Sequence, residues 1–212
     1  QAISNDELPP LPWLLKATEG GGGRGIFKWD EDHSDQQRVI QWMTDATQSV
    51  IRAGLTPRFI LETRLIKPRH IELQILGDGQ GNSIVLGARE CSVQRRHQKL
   101  IEECPPKNLA KSVLHKAITN AQNLGNTLAY RGVGTVEMLY HSEREMLYFL
   151  EVNPRLQVEH PITELVYGLD LIEAQIRVAR GEALPTVPSP RGVAIEARLY
   201  AEDPAHEFMP TS

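Results

Sequence analysis

At 212 residues, 41% hydrophobic and 24% charged, the chain has the composition of a globular protein that can bury one sizeable core or two small ones. Its net charge of -4 gives no reason to expect nucleic acid as a partner, and no apolar run approaches the ~20 residues needed to span a bilayer. The N-terminus lacks the basic start and apolar core of a secretory signal, and Cys91 and Cys104 show no metal-type spacing and suggest a reducing compartment.

The chain opens on Gln1 rather than Met and stops just after a strand-like segment, so it reads as a piece of a longer polypeptide. Trp13–Ala17 predicts a strand. Gly20, Gly21, Gly22 and Gly23 follow, then Arg24 and Gly25. Successive glycines can turn several backbone N–H groups toward phosphate oxygens. No Lys-Ser or Lys-Thr follows, so this is not a Walker loop, and Ile26–Trp29 reads as a second strand rather than a helix start. Lys16 and Arg24 favour an anion-gripping flap over a plain linker. Ser34 and Asp35 are caps for a helix with Val39, Ile40, Met43, Val50 and Ile51 at helical spacing, Trp42 in the core and Gly54 as its end.

Arg58–Leu65 predicts a strand. From Arg69 to Leu76 the residues alternate, with Ile71, Leu73 and Ile75 on one face and His70, Glu72 and Gln74 on the other. A turn at 77–82 and a return strand from Ser83 to Arg89 complete an antiparallel meander with one polar face. His70 lies on that face, where a structural and a ligand-binding role are both open. Glu90–Lys99 is densely polar with little period and reads as a solvated loop. Asn108 is the expected cap of a helix through Leu109, Val113, Ala117, Ile118, Ala121 and Leu124, with Gly125 beyond its end.

Gly134–Tyr140 and Met146–Leu150 predict a hairpin turning at 142–145. With the reflection near Arg144, Glu137 faces Glu151, and alternation puts Glu151, Asn153 and Arg155 on one face. Carboxylates opposite each other across a ladder lie roughly 4.5–5.5 Å apart and repel. A divalent cation would reverse that sign, and an all-oxygen set suits magnesium better than zinc. The competing reading is a solvated acidic face. Pro161 suits the first turn of a helix, Gly168 interrupts it, Asp170 caps a continuation and Gly181 closes it. After the Pro-rich stretch Leu184–Pro190, a strand from Val193 to Tyr200 places Glu196, Arg198 and Tyr200 on one face.

These segments together resemble the ATP-grasp core of the biotin carboxylases. The resemblance rests on Lys16-Ala17 with the glycine loop, Pro68–Glu72, Gln94-Arg95-Arg96-His97-Gln98-Lys99, Gly134–Glu137, Glu151–His160 and Ala194–Arg198. It implies an α+β ATP-grasp fold. Residues 1–64 would form a small glycine-loop lid subdomain and 65–185 a larger antiparallel-sheet subdomain with the metal and bicarbonate site. Residues 186–212 would begin the carboxylase C-terminal region.

The roles implied by the resemblance are these. Lys16, Gly22, Gly23 and Arg24 hold the phosphates of ATP, and Glu62, Thr63, Arg64 and Leu65 form the hinge facing adenine. His70, Gln94 and His97 lie near the nucleoside and phosphates. Glu137, Glu151 and Asn153 bind Mg2+ or Mn2+, in two sites. Lys99, Arg155, Gln157 and Val158 hold bicarbonate. Glu159 is the general base and Arg198 stabilises the biotin enolate. Lys99, Arg155, Glu159 and Arg198 make up the catalytic set.

No Met-Lys-Met motif is present, so biotin is expected as a substrate on a carrier domain. A carboxyltransferase, a homo-oligomeric parent and a cytoplasmic or mitochondrial-matrix location are implied, with no nucleic acid and no membrane. The isolated piece is expected to turn nothing over. Departures from the family pattern are Ala88-Arg89-Glu90 for Glu-Arg-Asp, Thr63 for Lys, Cys104 for Ala and Ile26 for Met. The competing readings are another ATP-grasp ligase, such as a carbamoyl-phosphate synthetase half, and an ATP-binding module without turnover.

Overall fold

Three short strands and one long helix are formed by the first part of the chain. The computed structural model describes residues 8–19, 25–31, 35–95, 98–206 and 208–210. Its contacts divide the chain into two units, Gln1–Ile66 and Lys67–Ser212. In the first, β1 (Trp13–Ala17) lies between β2 (Ile26–Trp29) and β3 (Phe59–Thr63), antiparallel to both. Trp13, Leu15 and Ala17 are buried while Leu14 and Lys16 lie on the other, partly open face. Helix α1 (Gln36–Arg52) starts as expected, with the Asp35 carboxylate accepting from the backbone N–H groups of Gln37 and Arg38.

The small sheet covers only part of the apolar stripe of this helix. Ala46 and Val50 are buried, but Ile40, Met43 and Ile51 are exposed. Trp42 is half-buried rather than in the core, tilted against Trp29 with ring centroids 5.4 Å apart. Strand β3 is shorter than its apolar pattern: the Arg64 N–H still donates to the Pro12 carbonyl, but Pro12 has no N–H to return and the ladder ends there.

The second unit is built on a six-stranded sheet. Its strands are β4 (Arg69–Asp78), β5 (Ser83–Arg95), β6 (Gln98–Cys104), β7 (Arg131–His141), β8 (Met146–Asn153) and β9 (Ala194–Ala197). They are antiparallel in the order β8-β7-β4-β5-β6-β9. Helix α2 (Lys111–Thr127) covers one face, packing Ala117 and Ala121 onto Ile71, Leu73, Ile75 and Val136. Helices α3 (His160–Tyr167) and α4 (Leu171–Ala179) bury Leu76, Leu86, Val133 and Cys104. A two-residue ladder, β10 (Glu202–Asp203) with β11 (Met209–Pro210), follows β9.

The stretch Glu90–Lys99 is not a loop. Strand β5 continues to Arg95 and β6 starts at Gln98, and register shifts on either side of Val93 break the alternation that would have revealed the strands. Arg96 and His97 lie outside the described residues. Asn108 has φ 52 and caps nothing; α2 begins at Lys111 without a side-chain cap. Gly125 lies inside α2, where an added Cβ would stand 2.5 Å from the Ser83 hydroxyl oxygen. Gly168 does end α3 at φ 62, and Asp170 caps α4 by accepting from the Glu173 N–H at 2.7 Å. The last predicted strand shortens to Ala194–Ala197.

Candidate active site

Strand register places one row of charge across four strands. Arg89 on β5 pairs with Glu72 on β4, Glu72 with Glu137 on β7, and Glu137 with Glu151 on β8. The predicted opposition of Glu137 and Glu151 is therefore present, with a bulge just beyond it. The neighbouring row reads Gln74, Thr135, Asn153. Three carboxylates side by side repel, so this face needs cations brought from other elements.

Those cations come from β6, from the end of β9 and from His70. The Lys99 ammonium donates to Glu72, to Glu137 at 3.3 Å and to Glu159 at 2.6 Å. Glu159 sits at the N-cap position of α3, and its second oxygen accepts from Arg198 at 2.8 Å. Arg198 also donates to Glu102 at 2.6 Å, while its own N–H holds the Leu100 carbonyl at 2.9 Å. His70 Nε2 lies 2.8 Å from Glu137 and 3.3 Å from Glu72. The Gln94 amide donates to the Cys91 carbonyl at 2.8 Å and lies 3.2 Å from His70 Nδ1. Lys99, Gln157, Glu159 and Arg198, scattered over a hundred positions of the chain, thus form one connected group with Glu72 and Glu137.

Burial by itself would lower the His70 pKa, but its contacts with Glu137 and Glu72 outweigh burial and raise it to about 9. Burial likewise opposes ionisation of Glu72 and Glu137. His70, Arg89 and Lys99 hold Glu72 well below the usual carboxylate range, and His70 and Lys99 lower Glu137 against the repulsion of Glu72. Lys99 is raised because its acidic neighbours outweigh its desolvation. Glu102 is raised by burial, which exceeds the opposing pull of Arg198.

Glu137, Asn153 and Glu151 form the outer end of the site. The Asn153 amide donates to Glu137 at 2.7 Å and to Glu151 at 3.2 Å. Two carboxylates and an amide that also carries a carbonyl oxygen match the hard, oxygen-only chemistry of Mg2+ or Mn2+. His70, Glu72 and Glu137 form a second group whose candidate ligand atoms lie within 4.8 Å of one another.

Arg155 does not continue the face of Glu151 and Asn153. Strand β8 ends at Asn153, Pro154 follows, and the exposed Arg155 donates to the Leu156 carbonyl at 3.3 Å. Alternation stops where the ladder stops, so its predicted placement fails. Val158 is also exposed, whereas Gln157 is buried and donates to Glu137 at 2.9 Å. Lys16, Glu62, Thr63, Arg64 and Leu65 lie in the first unit. There Lys16 pairs with Glu62 at 2.5 Å, Arg64 with Asp30 at 2.6 Å, and the Thr63 hydroxyl donates to the Pro10 carbonyl at 2.9 Å. Gly22, Gly23, Arg24 and His97 lie outside the described residues.

Sequence reasoning gave no role to Glu72, Arg89 or Glu102, all fully buried here. Glu72 carried a signal, since it alternates with His70 on a polar face. Arg89 closed a strand thought to end there, and Glu102 lies on β6, a strand hidden by the register shifts.

Residues 5–187 match the family described as the carbamoyl-phosphate synthase L chain, ATP binding domain. The chain belongs to this family. Among the family's relatives, it is 46% identical over 204 residues to urea amidolyase of Lachancea kluyveri, covering 94% of this chain and 11% of that protein. It is 42% identical to the methylcrotonoyl-CoA carboxylase alpha subunit of Arabidopsis thaliana, covering 99% of this chain and 28% of that one. Among solved structures, the biotin carboxylase domain dimer of Hydrogenobacter thermophilus 2-oxoglutarate carboxylase, in complex with MgADP, ADP and bicarbonate, is 38% identical. That likeness has a TM-score of 0.83 and covers 95% of this chain and 44% of that one. Biotin carboxylase of Campylobacter jejuni is 39% identical with a TM-score of 0.84 and the same coverage. The fold is the α+β ATP-grasp fold of biotin carboxylase domains, as the sequence motifs implied. The chain spans between a tenth and a third of the length of these curated relatives. Among the described residues no helix is long and apolar enough to cross a membrane.

Proposed function

We propose that this chain is the ATP-binding and bicarbonate-activating part of a biotin carboxylase within a larger biotin-dependent carboxylase. The observation that carries the reading is Glu159, buried and held between Lys99 and Arg198 beside the Glu137–Asn153–Glu151 donor set. Bicarbonate is a weak nucleophile at neutral pH, and a carboxylate base is needed to take its proton. Glu159 is that base. Lys99, Arg155 and the Gln157 amide supply cationic and N–H contacts for the anion, with Val158 beside them. The conjugate oxygen then attacks the γ-phosphorus of ATP, ADP leaves, and carboxyphosphate forms.

In the first unit, Lys16, Gly22, Gly23 and Arg24 are the candidates for the phosphates and Glu62–Leu65 for adenine; in the second, His70, Gln94 and His97 are the candidates for nucleotide contacts. Glu137, Glu151 and Asn153 would hold Mg2+ or Mn2+, which when bound neutralises charge on the phosphoryl oxygens. Carboxyphosphate breaks its bond between carbon and the bridging oxygen beside biotin, releasing CO2 and phosphate, and the phosphate takes the ureido N–H proton. Arg198 faces the ureido oxygen and favours the enolate form of the ureido group, which attacks CO2 through nitrogen. Biotin arrives on a carrier domain, and a carboxyltransferase takes the carboxyl group onward. An oligomeric parent in the cytoplasm or mitochondrial matrix fits relatives that are biotin carboxylase dimers or mitochondrial subunits.

The test is phosphate release and carboxybiotin formation in the full-length parent. Both are expected to require bicarbonate, and Glu151→Gln is expected to nearly abolish them at limiting magnesium. Wild-type turnover by that variant would overturn the metal assignment. The family's description favours one second reading, a carbamoyl-phosphate synthetase. ATP cleavage indifferent to biotin and yielding carbamoyl phosphate with ammonia would decide for it.

A further inference from the structure

Among the described residues Arg89 is the largest charged side chain with no solvent contact, and nothing in the reaction scheme uses it. One of its terminal nitrogens donates to the Gln74 amide oxygen and to the Thr163 hydroxyl on α3 at 3.0 Å. The other donates to Glu72 and Thr135, both at 3.2 Å, and to the Gln157 amide oxygen at 3.0 Å. A single planar fork therefore ties β4, β5, β7, α3 and the turn before α3. Such a network is satisfied by an arginine and not by a lysine, whose three donors radiate from one point.

We propose that Arg89 is the positioning residue that sets which way the Gln157 amide faces, and through it the affinity for bicarbonate. A guanidinium has donors and no acceptor, so the Gln157 oxygen must turn toward Arg89. Its NH2 group then has to face the open side of the site, where it donates to Glu137 at 2.9 Å. Gln74 is fixed in the same sense, its oxygen on Arg89 and its NH2 on the Gly134 carbonyl at 2.8 Å. Without the fork only the Glu137 contact opposes a flip of the Gln157 amide. A flipped amide presents a carbonyl oxygen to an anion and to Glu137, and both contacts become repulsive. Arg89 touches neither nucleotide nor bicarbonate; it acts through Gln157. This rests on the reading of Gln157 as a bicarbonate ligand.

A double-variant cycle in the full-length parent tests it, with Arg89→Lys and Gln157→Leu singly and together. Each single variant is expected to raise the KM for bicarbonate about tenfold, the scale of one well-placed hydrogen bond. The KM for ATP should change less than twofold. In the Gln157→Leu background, Arg89→Lys should add less than a further twofold to the bicarbonate KM, because the amide it orients is gone. If Arg89→Lys does not fold, Thr163→Val takes one acceptor from the fork without changing charge. It should raise the bicarbonate KM about two- to threefold, again only when Gln157 is present. Equal fold-changes in both backgrounds, or parallel rises in the KM values for bicarbonate and ATP, overturn the positioning role while leaving the bicarbonate site intact. An unchanged bicarbonate KM in Gln157→Leu alone overturns the placement of bicarbonate at Gln157, and this inference with it.

Discussion

The inner and outer halves of the polar face carry the same residue types and treat them differently. Inside, Glu72, Arg89 and Glu159 are buried and each is held by ion pairs or hydrogen bonds from more than one other element, while buried Glu102 is held by Arg198. At the outer edge Glu151, and past the end of β8 Arg155, are exposed, with one described contact each, to Asn153 and Leu156. The inner half is already organised, because unpaired charge there would cost several kcal/mol. At the outer half water can solvate the same groups, so they remain free for a ligand. Replacing an inner residue should therefore cost folding energy, whereas replacing Glu151 should cost ligand chemistry alone.

The hardest test of that contrast is Glu72→Ala, which leaves Arg89 and Lys99 without their shared carboxylate. It is expected to cost about 3–5 kcal/mol in urea unfolding, the scale for breaking a buried pair. A loss under about 1 kcal/mol would show that the inner charges are not held as one network. Next comes Arg198→Ala, which removes a partner of both Glu102 and Glu159. Carboxybiotin formation should fall about 10²–10³-fold, the scale of a lost oxyanion donor. Phosphate release should fall less, since Glu159 keeps Lys99. Equal losses would mean that the 2.8 Å contact to Glu159 matters more than the enolate.

His70 gives a smaller effect with a definite sign. Its folded pKa is raised from 6.5 to about 9, so its contribution is complete below pH ~6.5 and is lost as pH rises through about 9. Without divalent cations, thermal stability should drop across that window by about 1–3 kcal/mol, and His70→Asn should flatten the profile. The smallest change is expected for Glu151→Gln, whose unfolding free energy should stay within about 0.5 kcal/mol of wild type although its turnover collapses. A marked loss of stability there would erase the distinction between the two halves.

Much of this was legible in the sequence wherever one period governed one element. Alternation from Arg69 to Leu76 gave β4 and its polar face, and the parity of 137 and 151 gave a correct cross-strand pair. Legibility failed where a register shift interrupted the period, as at Glu90–Lys99, and where a strand ended, as at Arg155. The motifs named the family that the chain belongs to, and they quoted Lys99, Gln157, Glu159 and Arg198 without a geometry to relate them.

The sequence by itself determined the residue types, the strands with an unbroken period, the helix boundaries set by Asp35, Gly168 and Asp170, and the family. These are local properties, fixed by side-chain alternation and backbone preference over a few residues. Only the tertiary structure decided that Lys99 sits among three carboxylates, that Glu159 and Arg198 are direct partners, and that Arg89 is buried against Glu72 and Gln157. The physical reason is that burial and charge pairing depend on which strands lie side by side. The order β8-β7-β4-β5-β6-β9 brings Arg89, Glu72, Glu137 and Glu151 into one row, and beyond the Glu137–Glu151 hairpin pair no local pattern in the chain encodes that adjacency.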